Sequence, residues 1–277
     1  MYTILSKELL GPKVYRLRVK APEVAKVRKP GQFVALRVVP EGERFPLTIV
    51  DSDPAEGSLT LIIQEVGLST QLLCSRNVGE AVCDIAGPLG HPTEIANFGN
   101  VVCVGGGIGV APLYPIAKAL RAAGNHVTTI IGARTKDLII LEKEMRSVSS
   151  EVVLASDDGS IGMKGFVSDV VKHLVKNEGR HFDFCAAIGP VPMMRAVCGV
   201  TKELGIRTMV SLNPIMVDGT GMCGGCRVLI GGQTKFACVD GPEFDGHLVD
   251  FAALTSRLRM YDHLKDKCVS GAFAPAQ

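Results

Sequence analysis

Around Asn97 to Asn100 the chain changes texture, and that change restricts the fold more than any single motif does. Before it, "VYRLRVKA", "GQFVALRVV", "PLTIVDSD", "SLTLIIQEV" and "GEAVCDIAG" follow one another at short intervals, rich in Val, Ile, Leu and Thr and bounded by Gly, Pro, Asp or Asn. Such runs predict strands, and strands this close together favour a small antiparallel barrel. After it, "NVVCVGGGIGVAPLYPIAKALRAAG" reads as a buried strand, a glycine-rich turn and a helix. "HVTTIIGAR", "LIILEKEMRSV", "EVVLASDD", "FVSDVVKHLVKN", "FDFCAAIG", "PMMRAVCGVTKELG" and "RTMVSL" then alternate strand and helix. That alternation predicts a parallel α/β sheet with right-handed crossovers. Beyond about Leu212 the pattern gives way to a Gly- and Cys-rich segment, and from Phe251 an amphipathic helix is expected, with Leu254, Leu258 and Tyr261 packing on their own domain. The expected architecture is a β barrel plus α/β: a barrel over residues 1–98, a parallel-sheet domain over 99–212, a small cysteine-bearing segment over 213–250 and a helical tail over 251–277.

Composition narrows the function classes. With 47% hydrophobic residues in 277, the chain buries a substantial core. Its 30 basic and 28 acidic residues are well mixed, so neither nucleic acid nor anionic lipid is an expected partner. The N-terminal stretch carries Lys7, Glu8 and Lys13 and no signal-peptide pattern. The uncharged run Val101 to Ala117 is broken by Gly and Pro, which argues against a membrane span. A cytoplasmic protein is expected, in which nine cysteines are free thiols or metal ligands rather than disulfides.

Two motifs carry chemistry. In "VGGGIGVAP", Gly105, Gly107 and Gly109 let backbone approach a diphosphate, and Pro112 suits an early helical position. A purely structural tight turn is the alternative, and a G-x-G-x-x-G fingerprint would need glycine where Pro112 stands. In "DGTGMCGGCRVLIGGQTKFAC", Cys223, Cys226 and Cys238 follow C-x2-C-x11-C with no fourth cysteine inside the segment. Zinc ribbons offer two paired-cysteine knuckles and this segment has one. A 2Fe-2S cluster needs four ligands, and Gly219, Gly221, Gly224 and Gly225 supply a loop whose N–H groups can point at its sulfurs. Buried thiols in a Gly-rich hairpin are the alternative. Cys74, Cys83, Cys103, Cys185, Cys198 and Cys268 are scattered, and no role is assigned to them or to His91.

A barrel followed by an α/β domain carrying G-x-G-x-x-P resembles the ferredoxin–NADP reductase superfamily. "RFPLT" resembles its flavin signature, which implies flavin contacts for Arg44, Pro46, Leu47 and Thr48, although Phe45 occupies the usual Arg position. "EVGLST" resembles the second flavin segment, implying that Gly67, Ser69 and Thr70 hold the cofactor diphosphate. "GPVPMM" resembles the late nicotinamide motif, implying nicotinamide contacts for Gly189, Pro190 and Met193, with Ile188 where the superfamily usually has Cys. Arg134, in "GARTKD", follows the second α/β strand, where a basic residue can meet a 2′-phosphate. "ASDDGSIGMKG" resembles dihydroorotate dehydrogenase electron-transfer subunits, whose cluster motif is C-x4-C-x2-C with a fourth Cys about a dozen residues on. Asp218 occupies the first of those positions. With that aspartate the segment resembles the small subunits of NADH-dependent ferredoxin–NADP oxidoreductases, the electron-bifurcating transhydrogenases. This resemblance implies FAD, a 2Fe-2S cluster held by Asp218, Cys223, Cys226 and Cys238, and NAD(H). It also implies a larger flavin and iron–sulfur partner subunit similar to the glutamate synthase small subunit, with ferredoxin reached through the complex. No catalytic acid or base is expected beyond the flavin. A dihydroorotate dehydrogenase electron-transfer subunit is the alternative, and a zinc-stabilised interaction module is the alternative of a different class.

Overall fold

The short apolar runs of the first hundred residues form strands in the computed structural model, which describes residues 2–262. β1 (Tyr2–Gly11), β2 (Val14–Lys20), β3 (Phe33–Arg37), β4 (Phe45–Asp53), β5 (Ser58–Gln64), β6 (Ala81–Val82) and β7 (Asp84–Leu89) make a nearly closed antiparallel barrel in the order β6-β1-β2-β5-β4-β3-β7. Two short helices, α1 (Pro22–Val27) and α2 (Leu68–Ser75), bridge its strands. Alternation sets the inner face: Leu59, Leu61 and Ile63 of β5 are fully buried, and they meet Ile4, Leu17, Leu36 and Ile49 from four neighbouring strands. β1 is absent from the sequence-based expectation. Register shifts at Ile4/Ser6 and Leu9/Gly11 break its period of two, which hides the strand in the sequence.

The second sheet follows the order β11-β10-β9-β8-β12-β13-β16. Its strands are β8 (Asn100–Gly106), β9 (His126–Ala133), β10 (Glu151–Ser156), β11 (Met163–Lys164), β12 (Phe184–Ile188) and β13 (Arg207–Ser211), all parallel, and β16 (Glu243–Asp245), antiparallel to β13. The helices α3 (Val110–Ala122) and α4 (Glu142–Val148) cover one face, α5 (Val167–Lys176) and α6 (Val191–Glu203) the other. Because both faces are covered, β8 is a continuous apolar run: Val101 and Cys103 pack towards α3, Val102 and Val104 towards α5 and α6. α3 also receives the barrel, whose Val14, Val50 and Ile62 join its core. Lys118 binds Asp51 at 2.9 Å, and Arg16 pairs with Glu144.

The cysteine-bearing segment forms a hairpin, β14 (Arg227–Ile230) with β15 (Gln233–Phe236), and then returns to the parallel sheet through β16. α7 (Phe251–Leu258) buries Phe251 and Leu254 in the core under α5 and α6. Tyr261 lies past its end, 51% exposed, so the expected apolar stripe stops at Leu258. The rest of the tail, Cys268 included, lies outside the described residues. No helix of the described residues is long and apolar enough to cross a membrane.

Glu243 ties these parts together. From β16 its carboxylate accepts a hydrogen bond from the Thr93 hydroxyl at 2.7 Å, and the Thr93 N–H donates to the carbonyl of Pro30 at 2.9 Å. Burial pushes the Glu243 carboxyl from 4.5 up to about 7. A group that holds its proton more tightly when folded contributes stability that is full below its unfolded value of 4.5 and lost as pH rises through about 7. Glu243→Gln keeps the acceptor and cannot ionise. It is therefore expected to flatten the pH dependence of thermal unfolding across that window and to be more stable than the parent above it by about 2 kcal/mol. Superimposable unfolding curves at about pH 8 would show that the carboxylate is solvated.

Candidate functional site

The glycine turn uses each of its glycines for a different physical reason. Gly105 lies under α3, and a Cβ there would stand 2.9 Å from Val110 Cγ2. Gly109 packs on the end of β12, where a Cβ would meet the Ile188 carbonyl oxygen at 2.3 Å and Gly189 Cα at 2.7 Å. Gly107 meets nothing within 4 Å, but its φ of +54° is a left-handed conformation, and it faces open space. The turn therefore seats "GIG" directly against "GPV". Met193 completes the contact, because its sulfur fills the position a Cβ on Gly106 or Gly189 would need.

A cavity of about 640 Å³ opens beside Gly107. Arg134 after β9, Asp157 after β10, Phe166 before α5, and Pro190 and Met193 at the start of α6 line it. All stand at the carboxyl ends of the parallel strands, next to the point where chain order switches from β8-β9 to β8-β12, the location where open α/β sheets bind dinucleotides. A second cavity, about 520 Å³, lies between barrel and sheet. Pro46, Leu47 and Thr48 of β4 and Thr70 of α2 form its barrel wall; Gly109, Pro112 and Gly189 face them. Gln64, Ile108 and Pro190 line both cavities, so the two adjoin. Nothing local in the sequence marks Gln64, the strand-end residue that this junction selects.

Three of the residues expected at the flavin, Arg44, Gly67 and Ser69, line neither cavity. The Arg44 guanidinium is held by Asp84, at 2.6 Å, and reaches neither cavity. Ser69 donates to the carboxylate of Glu43, and Gly67 caps α2, its N–H bonded to the Thr70 hydroxyl at 3.0 Å. Gly105 is buried behind the turn rather than exposed in it.

Across the second cavity lies the cysteine loop. Cys226 and Cys238 are buried with their sulfurs 3.2 Å apart, and burial, followed by the Cys226 thiol beside it, pushes the Cys238 thiol up. They share a small core with Phe33 of β3, flanked by Met216, and Phe33 and Met216 also line the second cavity. The paired sulfurs and that cavity thus share one wall of side chains, a juxtaposition invisible in the sequence. Asp218 accepts the N–H groups of Thr220 and Cys223, both at 2.8 Å, which hold its carboxyl below the usual carboxylate range. Cys223 is exposed, its sulfur accepting the Gly225 N–H at 3.4 Å. Among the described residues no three Cys, His, Asp or Glu side chains converge as they stand on a point that could hold a metal. The donor set nonetheless fits an iron–sulfur cluster: two thiols and a carboxylate on one glycine-rich loop, a third thiol that the β14–β15 hairpin brings back beside Cys226, and a loop N–H directed at Cys223.

Comparison with known proteins agrees with this division. Residues 103–199 match the oxidoreductase NAD-binding domain, and residues 213–250 match the iron–sulfur cluster binding domain of dihydroorotate dehydrogenase B. Barrel, nicotinamide domain and iron–sulfur segment together define an oxidoreductase subunit that transfers electrons. A dihydroorotate dehydrogenase B (NAD(+)) electron transfer subunit homolog of Thermotoga maritima is 50% identical over 93% of this chain and 90% of its own length. The electron transfer subunit of Geobacillus thermodenitrificans is 36% identical over 87% of this chain and 95% of its own length. The chain belongs to the family of dihydroorotate dehydrogenase B electron transfer subunits and their homologues. Among solved structures, a chain of the NADH-dependent reduced ferredoxin–NADP oxidoreductase, studied for flavin-based electron bifurcation, superposes with a TM-score of 0.92 at 46% identity, covering 98% of this chain and 97% of that one. A ferredoxin reductase of carbazole 1,9a-dioxygenase, at 22% identity and a TM-score of 0.64 over 74% of this chain and 65% of that one, shares the fold.

Proposed function

We propose that this chain is the NAD(H)-binding, FAD- and 2Fe-2S-containing subunit of a ferredoxin–NADP oxidoreductase of the electron-bifurcating kind. The observation that carries the reading is the succession of sites: a dinucleotide cavity that meets a barrel-side cavity at Gln64, Ile108 and Pro190, and a cysteine pair behind the Phe33 wall of the second. When bound, a flavin couples two-electron hydride chemistry to single-electron steps, and an iron–sulfur cluster carries single electrons.

The chain's own residues do the positioning. Gly107 and the N–H groups opening α3 receive the dinucleotide diphosphate, and Gly189, Pro190 and Met193 border the nicotinamide end. Pro46, Leu47, Thr48 and Thr70 hold the flavin from the barrel side, with Gly109 and Pro112 opposite. Asp218, Cys223, Cys226 and Cys238 hold the cluster. A larger flavin and iron–sulfur subunit in the cytoplasm takes the electrons on, and ferredoxin is reached through it. The full-length protein, supplied with FAD and iron, is expected to hold about one FAD and one 2Fe-2S cluster and to reduce artificial acceptors faster with NADH than with NADPH. Full iron without flavin would sink the barrel assignment, and a colourless zinc protein would sink both. The match of residues 213–250 favours a second reading, the electron-transfer subunit of a dihydroorotate dehydrogenase. Mass spectrometry of the subunit that co-purifies from the native host separates the two.

A further inference from the structure

We propose that Asp157 makes the dinucleotide cavity select against a 2′-phosphate, holding the adenosine ribose as a free diol while Phe166 supports the adenine; this rests on the dinucleotide reading of that cavity. The register of β9 and β10 carries the argument. Ser156 pairs with Ala133, and the ladder continues past both strands: the Asp157 N–H donates to the Ala133 carbonyl at 3.1 Å and the Asp158 N–H to the Arg134 carbonyl at 3.3 Å. Arg134 and Asp157 are thereby fixed side by side on the rim, and both line the cavity. In sequence order alone, the position after the second strand holds an arginine, which points to a 2′-phosphate. The fold adds an acid from the next strand over.

The neighbouring acid is otherwise engaged. Asp158 accepts the Ser160 N–H at 2.9 Å and its hydroxyl at 2.6 Å, which holds it below the usual carboxylate range, and that same hydroxyl accepts the Lys136 N–H at 2.9 Å. Asp157 and Arg134, both exposed, have no side-chain partner among the described residues. A carboxylate without a partner accepts two hydroxyls of a ribose and repels a phosphate placed on one of them, since like charges set against each other are strongly unfavourable. Phe166, 64% exposed at the same rim, presents to the cavity an apolar ring on which an adenine can stack.

The test uses calorimetric titration of the full-length protein with ADP-ribose and with its 2′-phosphorylated counterpart, neither of which requires an active flavin. The parent is expected to prefer ADP-ribose by tenfold or more. Asp157→Asn, which keeps an acceptor for the hydroxyls, should hold ADP-ribose within about threefold and tighten the 2′-phosphate ligand about tenfold. Adding Arg134→Ala should abolish that gain, and Phe166→Ala should weaken both ligands alike, by about tenfold. If the parent binds ADP-ribose and Asp157→Asn leaves the ratio of the two affinities unchanged, Asp157 is not the selector and the cavity assignment stands. Should the parent bind neither ligand, the cavity is not a dinucleotide site and the selector falls with it.

Discussion

Gly107→Val is expected to lower the affinity for NADH about a hundredfold while flavin and iron contents stay at parental levels. Gly107 lines the dinucleotide cavity, adopts a φ of +54°, and has nothing within 4 Å of the place a Cβ would take. A branched side chain there strains the backbone, stands where the diphosphate approaches, and displaces the N–H groups that would receive it. Loss of charge-assisted hydrogen bonds is worth roughly 1.5–3 kcal/mol each, and about 2.7 kcal/mol is a hundredfold. Gly109 makes the informative contrast. Its Cβ would collide with the Ile188 carbonyl oxygen at 2.3 Å, so Gly109→Ala should destabilise the whole domain rather than the ligand alone. Calorimetric binding of NADH beside iron and flavin analysis checks both, and a Gly107→Val protein that binds NADH as tightly as the parent would make the turn merely structural.

Asp218→Ala is expected to lose the cluster, with a fall in bound iron and in the visible iron–sulfur absorbance. Because the Asp218 carboxylate also ties down the N–H groups of Thr220 and Cys223, alanine alone cannot separate a ligand from a loop clamp. Asp218→Asn keeps one oxygen acceptor for the loop, replaces the other with an amide NH2 and lacks the anionic oxygen. It should keep the parental thermal unfolding of the whole chain yet hold iron poorly, or show an altered EPR spectrum. Asp218→Cys should retain the cluster with a shifted potential, since a thiolate is softer and more covalent towards iron than a carboxylate. Cys268→Ala, outside the described residues, should change neither. An Asp218→Asn protein with full iron and the parental EPR spectrum would reduce Asp218 to a clamp and leave the fourth ligand to be found.

Local pattern carried much of this structure into view. Leu59, Leu61 and Ile63 alternate without interruption, so their strand is readable, whereas β1 hides behind two register shifts. The run Val101 to Val104 reads as buried because both faces of its sheet are covered. The proposed cluster donors are legible because their spacing is local. What no window of sequence contains is who faces whom after the chain closes on itself. Arg44 belongs to a flavin-like signature, yet Asp84, forty residues on, holds its side chain. Phe33 meets Cys226 and Cys238 across most of the chain's length, and Gln64 matters only because Ile108 and Pro190 arrive beside it. Asp157 is one of two adjacent aspartates, and only Ser160 distinguishes them.

The return of β16 to the parallel sheet makes the iron–sulfur segment an edge guard as well. Its three residues, Glu243, Phe244 and Asp245, pair with Ser211, Val210 and Met209, and so occupy the hydrogen-bonding groups that β13 would otherwise present to solvent. An open, apolar sheet edge is a template for another chain, and a very short edge strand is among the ways proteins blunt one. A chain cut after Leu212 is therefore not a smaller flavin reductase in waiting but a sheet with an adhesive border. The segment that matches an iron–sulfur domain is thus also the part of the chain that closes this border of the parallel sheet.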